Sequence, residues 1–274
     1  LFDFEKGLNM KIIRTIIPAL CALMLFSCTG NASKENVFEY DEFGVATRIN
    51  PDEKCVWLVF TAHYSLDDNG YFENFDGVMP VLNTLKEKEV NGSFFPTGVC
   101  LEVEKYQEAV RRIIDEGHYL SSHSFNHLLL CEEGRTLVSA DSIKADFALM
   151  ESSLEKYGLE KEHYDWLIPP YETYNQETAD VMRDLGYKLI NPTPGFKTGM
   201  DWTSPGAPNY ISTEEILEGI WQYESENTMN GVILLIHAMN YPDRTDEDRP
   251  YTYLGEIIDT LRSKGYTFKT MFDL

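Results

Sequence analysis

Six histidines occur in the 274-residue chain, and four of them stand where short apolar runs end. His63 follows Phe60-Thr61-Ala62. His123 and His127 follow the run at 118–122, and His237 closes Gly231–Ile236. A strand that stops at a histidine places that ring at the strand end rather than in the core. His123 and His127 are four residues apart. On a helical turn that spacing points both imidazoles to one side, where they can share a metal ion. Two nitrogens, one carboxylate and an open water position make zinc the expected ion. The plainer alternatives are two unrelated histidines, one capping a helix, and for His237 a core histidine with its hydrogen bond satisfied. Glu172 ends another run, Pro169-Pro170-Tyr171-Glu172, and Asn191-Pro192-Thr193-Pro194-Gly195 ends a further one.

These residues need a scaffold that gathers strand ends. Strand-like runs fall at 55–61, 92–96, 118–122, 164–168, 187–191, 231–237 and 266–269. They are short, apolar and often aromatic or β-branched. Between them run helical stripes of 3.6-residue period, such as Val78, Val81, Leu82 and Leu85, or Leu254, Ile257, Ile258 and Leu261. Gly117, Gly158, Gly186 and Gly265 follow the last turns, as C-terminal caps do. Alternating strands and helices predict crossover units and a parallel sheet buried on both faces. The expected class is α/β: a (β/α) barrel of about seven parallel strands, incompletely closed, with its chemistry at the C-terminal strand ends. A doubly wound sheet is the alternative, but no Gly-x-Gly-x-x-Gly follows the first strand, so a dinucleotide site lacks support.

Composition narrows the partners. The formal charge of −22 argues against nucleic acid, which needs clustered Lys and Arg. At the N-terminus, Met10 opens a stretch with Lys11 and Arg14, followed by an apolar run from Thr15 to Phe26. That run is too short to span a bilayer and reads as a signal peptide. Leu25-Phe26-Ser27-Cys28 resembles a bacterial lipobox, in which Cys28 becomes the lipidated residue. The expected organisation is upstream residues and signal over 1–28, a polar tether over 29–50 and one domain over 51–274. The protein is then exported and lipid-anchored to a membrane of the bacterial cell envelope. Cys55, Cys100 and Cys131 match no zinc spacing and read mostly as buried thiols, with one bridged pair open to an exported protein.

Together these pieces resemble the polysaccharide deacetylases, the NodB-homology domain of carbohydrate esterase family 4. His123-Ser-Phe-Asn-His127 is similar to the family's His-Ser/Thr-x-x-His metal motif, and Gly92-Ser-Phe-Phe-Pro-Thr-Gly98 to its second strand. Pro169-Pro170-Tyr171 resembles its Arg-Pro-Pro-Tyr, Asp201-Trp202 its Asp-Trp, and Leu234-Leu235-Ile236-His237 its Leu-x-x-His. Pro-Pro-Tyr-Glu-x-Tyr-Asn and Thr193-Pro194-Gly195 resemble a divergent branch seen in gut Bacteroidetes proteins. The resemblance spans roughly residues 55–270. It implies a NodB-like barrel and a divalent ion whose water attacks an N- or O-acetyl carbonyl on an oligo- or polysaccharide. It further implies a Tyr171 backbone N–H for the oxyanion, His237 as general acid tuned by Asp201, and Trp202 and Leu235 lining a small acetyl pocket.

The chain departs from the family at the base. Where the family has Thr-Phe-Asp-Asp-Gly, the first strand ends in Phe60-Thr61-Ala62-His63, and the Arg that holds the base is Ile168. A lone Arg would be a buried unpaired charge, so losing both together is physically consistent. Asn74-Phe75-Asp76-Gly77 resembles a displaced Phe-Asp-Gly. Asp76 is the expected third metal ligand, or else a helix N-cap. Asp67 and Asp68 are alternatives, or else turn residues beside Asn69-Gly70. His63 or Glu172 is the expected replacement base. The alternative to an acetyl hydrolase is a glycan-binding surface lipoprotein on the same fold.

Overall fold

The computed structural model describes residues 35–64, 74–241 and 243–274. In chain order these form β1 (Phe38–Tyr40), β2 (Ala46–Ile49), β3 (Cys55–Ala62), α1 (Val78–Glu87), β4 (Ser93–Pro96), α2 (Gly98–Glu102), α3 (Gln107–Asp115) and β5 (Tyr119–Leu120). Then come β6 (Cys131–Glu132), β7 (Arg135–Thr136), α4 (Ala140–Glu155), β8 (Trp166–Leu167), α5 (Gln176–Asp184), β9 (Lys188–Leu189), α6 (Thr213–Asn227), β10 (Val232–His237), α7 (Leu254–Ser263) and β11 (Thr267–Lys269). The segment expected to be a signal peptide, Cys28, Asp67 and Asp68 lie outside the described residues.

Each predicted strand run holds an observed strand. β10, β3, β4 and β5 pair in parallel, and β11 joins β3 through Thr267↔Cys55. β8 and β9 form a second parallel pair. Single bridges at Ser122↔Leu167 and Ala46↔Ile190 tie that pair back to β5 and β2. The result is a curled, incompletely closed (β/α) barrel, as the alternation of strands and helices predicts.

The two-residue period of a strand divides its side chains between two faces. Trp57, Val59, Phe95, Ile168, Ile233 and Leu235 belong to one buried cluster, the barrel interior. Val56, Leu58, Phe60, Phe94, Leu234 and Ile236 belong to the other, with the α1 and α7 stripes. All eight residues of β3 are buried because both faces are covered. The alternation continues past the strand ends: His63, His123 and His237 fall in the interior-facing register, so the top of the lumen is capped by imidazoles. The four glycines expected to end helices have φ between 79° and 89°, the left-handed region that Cβ disfavours.

Three expectations are corrected. Residues 36–50 are not a tether: Asn36–Leu274 is one compact unit, and β1 and β2 pair antiparallel within it, β2 also meeting β10 at Val232↔Arg48. Short polar-flanked strands such as Phe-Glu-Tyr carry too little periodicity to be seen in sequence. His123–His127 is not a helical turn either. It is an irregular loop, with Ser124 at φ 64° and His127 at φ 54°. Cys55, Cys100 and Cys131 are buried free thiols, so the bridged pair does not form.

Candidate functional site

Parallel pairing sets β10 beside β3 with His237 opposite Thr61, so His63 emerges just above His237. The His123–His127 loop is pinned from beneath. The buried Asp146 carboxylate of α4 accepts the backbone N–H groups of Phe125 (2.6 Å) and Asn126 (3.0 Å) and the Asn126 side-chain amide (2.8 Å). The Gly98 N–H donates to Ser124 O at 3.0 Å. A Cβ on Gly98 would lie 2.2 Å from Phe125 Cδ2, so only glycine lets α2 approach this loop.

These contacts bring four imidazoles together despite the absence of a helix. His63 and His127 stack at 4.2 Å between centroids and 8° between planes, while His123 and His127 are 5.0 Å apart. His123 is fully buried, and its Nδ1 lies 2.8 Å from Ile168 O. A carbonyl only accepts, so Nδ1 carries the proton and Nε2 keeps its lone pair. Burial, with neighbouring imidazoles, lowers His63 and His123 to about 3, and moves His127 down as well. For His123 the Ile168 carbonyl works against the shift without cancelling it.

His237 is held differently. Its Nδ1–H donates to Asp201 Oδ1 at 2.5 Å and its backbone N–H to Asp201 Oδ2 at 2.9 Å. Burial alone would lower its pKa. The Asp201 charge and hydrogen bond, with Glu172 beyond, outweigh that and raise it. Asp201 is buried, and its loop is clamped by the buried Arg244, which donates to Thr203 O at 2.7 Å and Ile211 O at 2.6 Å.

Glu172 sits across from the imidazoles. Its Oε1 lies 3.7 Å from His123 Nε2 and is buried with no hydrogen-bond partner among the described residues; Thr61 Oγ1 and Asn191 Oδ1 are likewise unsatisfied. Burial pushes Glu172 up to about 7, with His237 lowering and Asp201 raising it further. Ser124, His127, Tyr171 and Glu172 are four of the eight described non-glycine residues with positive φ. Backbone strain concentrated in one place is a functional signal.

Above these groups opens a cavity of about 770 Å³, lined by His63, His127, Glu172 and His237 with Tyr171 and Trp202. Both aromatic side chains are nearly half exposed. Leu235 does not line it; that side chain is wholly buried in the barrel interior. The Tyr171 N–H, expected to face an oxyanion, donates instead to His127 Nε2 at 3.4 Å. Asp76 takes neither of its expected roles. Its carboxylate accepts from Tyr106 Oη (2.8 Å) and pairs with Lys105 (3.0 Å), and the N-cap of α1 is Gly77.

The donor chemistry suits a divalent ion in part. Neutral imidazoles and an unsatisfied carboxylate oxygen are present, and the Ile168 carbonyl orients His123 as an outer partner orients a metal-binding histidine. Among the described residues, however, no three His, Cys, Asp or Glu side chains converge to hold an ion. Ile168 in place of an arginine is fully buried among apolar neighbours, so no guanidinium awaits a base carboxylate there. The residues missed in the sequence are Asp146 and Arg244. Asp146 left a trace, an acid inside the apolar stripe of Ile143, Phe147 and Met150.

A family model for polysaccharide deacetylase matches residues 48–190, which is 143 of the 274 residues. An uncharacterized 30.6 kDa protein of Geobacillus stearothermophilus is 28% identical over 89% of this chain and 79% of its own length. The peptidoglycan-N-acetylmuramic acid deacetylase PdaA of Bacillus subtilis is 28% identical over 86% of this chain and 76% of its own length. Among solved structures, a family 4 carbohydrate esterase from Bacillus anthracis aligns with a TM-score of 0.55 and 25% identity, covering 82% of this chain and 83% of that one.

Proposed function

The chain belongs to the polysaccharide deacetylase family, and from that premise we propose that it hydrolyses acetyl groups from a carbohydrate. The observation that carries the reading is that His127 and His237 line one cavity with His123 buried beside His127, burial lowering the pKa of His123 and His127 while Asp201 raises that of His237. A divalent ion, zinc by donor type, would be held by His123 and His127 with one carboxylate, and would supply Lewis acidity to the acetyl carbonyl and the attacking water. Asp67 and Asp68 are the carboxylates proposed to complete it.

The chain's own residues supply the proton transfers. Glu172, near 7, is the better base than His63, near 3, because a base works best when its pKa is close to the working pH. Glu172 takes the proton of the water as its oxygen bonds to the acetyl carbon. His237 then delivers a proton to the sugar nitrogen or oxygen as its bond to that carbon breaks, releasing acetate and the free amine or hydroxyl. Trp202 and Tyr171 offer flat faces for the sugar ring. Export and lipid attachment at Cys28 complete the proposal, supported by the Leu-Phe-Ser-Cys run.

Ile168 in place of the family's arginine, the lack of a carboxylate in Phe60-Thr61-Ala62-His63 and the exposed Tyr171 and Trp202 favour a second reading, a glycan-binding protein without turnover. The two separate in one experiment. The purified chain is assayed for metal content and for acetate release from acetylated xylan, chitin oligomers and peptidoglycan. Under the first reading His127→Ala loses both metal and turnover. A fully active His127→Ala protein refutes it, and sugar binding with neither metal nor acetate establishes the second.

A further inference from the structure

We propose that Arg244 is a positioning residue that sets the general acid and the sugar-stacking ring together, by gripping the one turn that carries both Asp201 and Trp202. The inference rests on the deacetylase reading above and deepens it. The Thr203 N–H donates to Met200 O at 3.1 Å, which closes a β-turn with Asp201 and Trp202 as its central residues. Asp201 has φ −65° and ψ −9°, close to the first central position of the commonest turn type. The Thr203 hydroxyl donates to the same Met200 oxygen at 2.8 Å. Asp201 is buried against His237, whereas Trp202 is nearly half exposed and lines the cavity. One turn therefore presents a carboxylate inward and an indole outward, and whatever fixes the turn fixes both.

Arg244 stands in the segment after β10, with its side chain wholly buried. A guanidinium has five N–H donors, and each has an acceptor here. Nε donates to Thr203 O at 2.7 Å, and Nη2 donates to Thr203 Oγ1 at 3.1 Å and Ile211 O at 2.6 Å. Nη1 donates to Asp248 O at 3.1 Å and Asp248 Oδ1 at 3.2 Å. The last residue of the turn is thus held at two atoms by one rigid plane. Asp248 anchors that plane in turn, its carboxylate accepting from the Thr213 N–H of α6 at 2.9 Å and from Tyr210 Oη at 2.7 Å. A lysine has three donors at a single point and cannot reach these five acceptors at once. A buried ion pair gains little stability for its desolvation cost, so what Arg244 contributes is placement.

The test is steady-state kinetics of the full chain carrying Arg244→Lys, on whichever of acetylated xylan, chitin oligomers and peptidoglycan releases acetate. The expected kcat is about ten-fold lower and the KM about five-fold higher, because both functional side chains move. Asp201→Asn should lower kcat alone, and Trp202→Ala should raise KM alone. In the Asp201→Asn background, Arg244→Lys should lower kcat by less than two-fold more, since its route to His237 runs through Asp201. A kcat or a KM within two-fold of the unaltered protein, or a full kcat loss repeated in the Asp201→Asn background, overturns the proposal. If Arg244→Lys does not fold, Thr203→Val keeps the turn's shape, removes one acceptor of the guanidinium and should move both parameters the same way, by about three-fold. If the unaltered protein releases no acetate from any of the three, the deacetylase reading fails, and proton NMR of the same variant decides the positioning role without turnover. The His237 Nδ1–H and Trp202 indole N–H signals should then both shift while those of the buried Trp57 and Trp166 stay, and either of the first two left unmoved overturns the proposal.

Discussion

At the scale of single residues, the site rests on one carboxylate used twice. Asp201 accepts both the ring and the backbone N–H of His237, fixing where that ring points and keeping its proton. Asp201→Asn keeps the shape but removes the charge, and its amide nitrogen must face one of two N–H donors. The expected result is a kcat lower by about 100-fold or more with KM little changed, because general acid catalysis is worth about that much. A kcat within two-fold of the unaltered protein, with the fold intact by circular dichroism, would remove His237 from the mechanism. The strand-end histidines were legible because an apolar run that halts at a polar ring marks a mouth. Asp76 was not, because its partners Lys105 and Tyr106 lie 29 and 30 residues away and sequence spacing says nothing of them. Nor could spacing show that the His123–His127 pair would meet without a helix.

At the scale of elements, what the sequence carried was periodicity. All seven strand runs and the apolar helical stripes were visible because burial on both faces writes continuous apolar segments. β1 and β2 were hidden because strands of three and four residues with polar neighbours look like linker. The loop after β5 was hidden because its shape comes from outside it, from Asp146 on α4 and Gly98 on α2. Asp146→Ala leaves the amides of Phe125 and Asn126 without their acceptor. It should cost about 4 kcal/mol, the loss of three hydrogen bonds to a buried carboxylate. Asp146→Asn retains one oxygen acceptor and should recover about half. Thermal unfolding measures the cost, and turnover should fall with it because the same loop carries His123 and His127. If Asp146→Ala melts with the unaltered protein, the loop is held by something other than this carboxylate.

At the scale of the whole molecule, burying imidazoles makes the fold sensitive to acid. His118 shows this away from the site. It is buried beneath Phe94, its Nδ1 accepts the Gly92 N–H at 3.1 Å, and burial lowers it to about 4, with Glu116 opposing and Arg112 assisting. In the unfolded chain it titrates near 6.5. Between those values the unfolded state binds the proton and the folded state does not, so stability present above pH 6.5 is lost as pH falls toward 4. The loss from this residue is about 3 kcal/mol. His63 and His123 add losses of the same sign that begin at the same pH and continue down to about 3, while Glu172, raised to about 7, works in the opposite direction because its folded form takes up the proton first. His118→Asn keeps an oxygen where Nδ1 accepts and cannot ionise. Its unfolding free energy, measured by denaturant titration from pH 7 to 4.5, should fall less steeply than that of the unaltered protein. Parallel pH profiles for the two proteins would mean that His118 takes up its proton without unfolding the chain, and that acid lability lies with the imidazoles at the mouth.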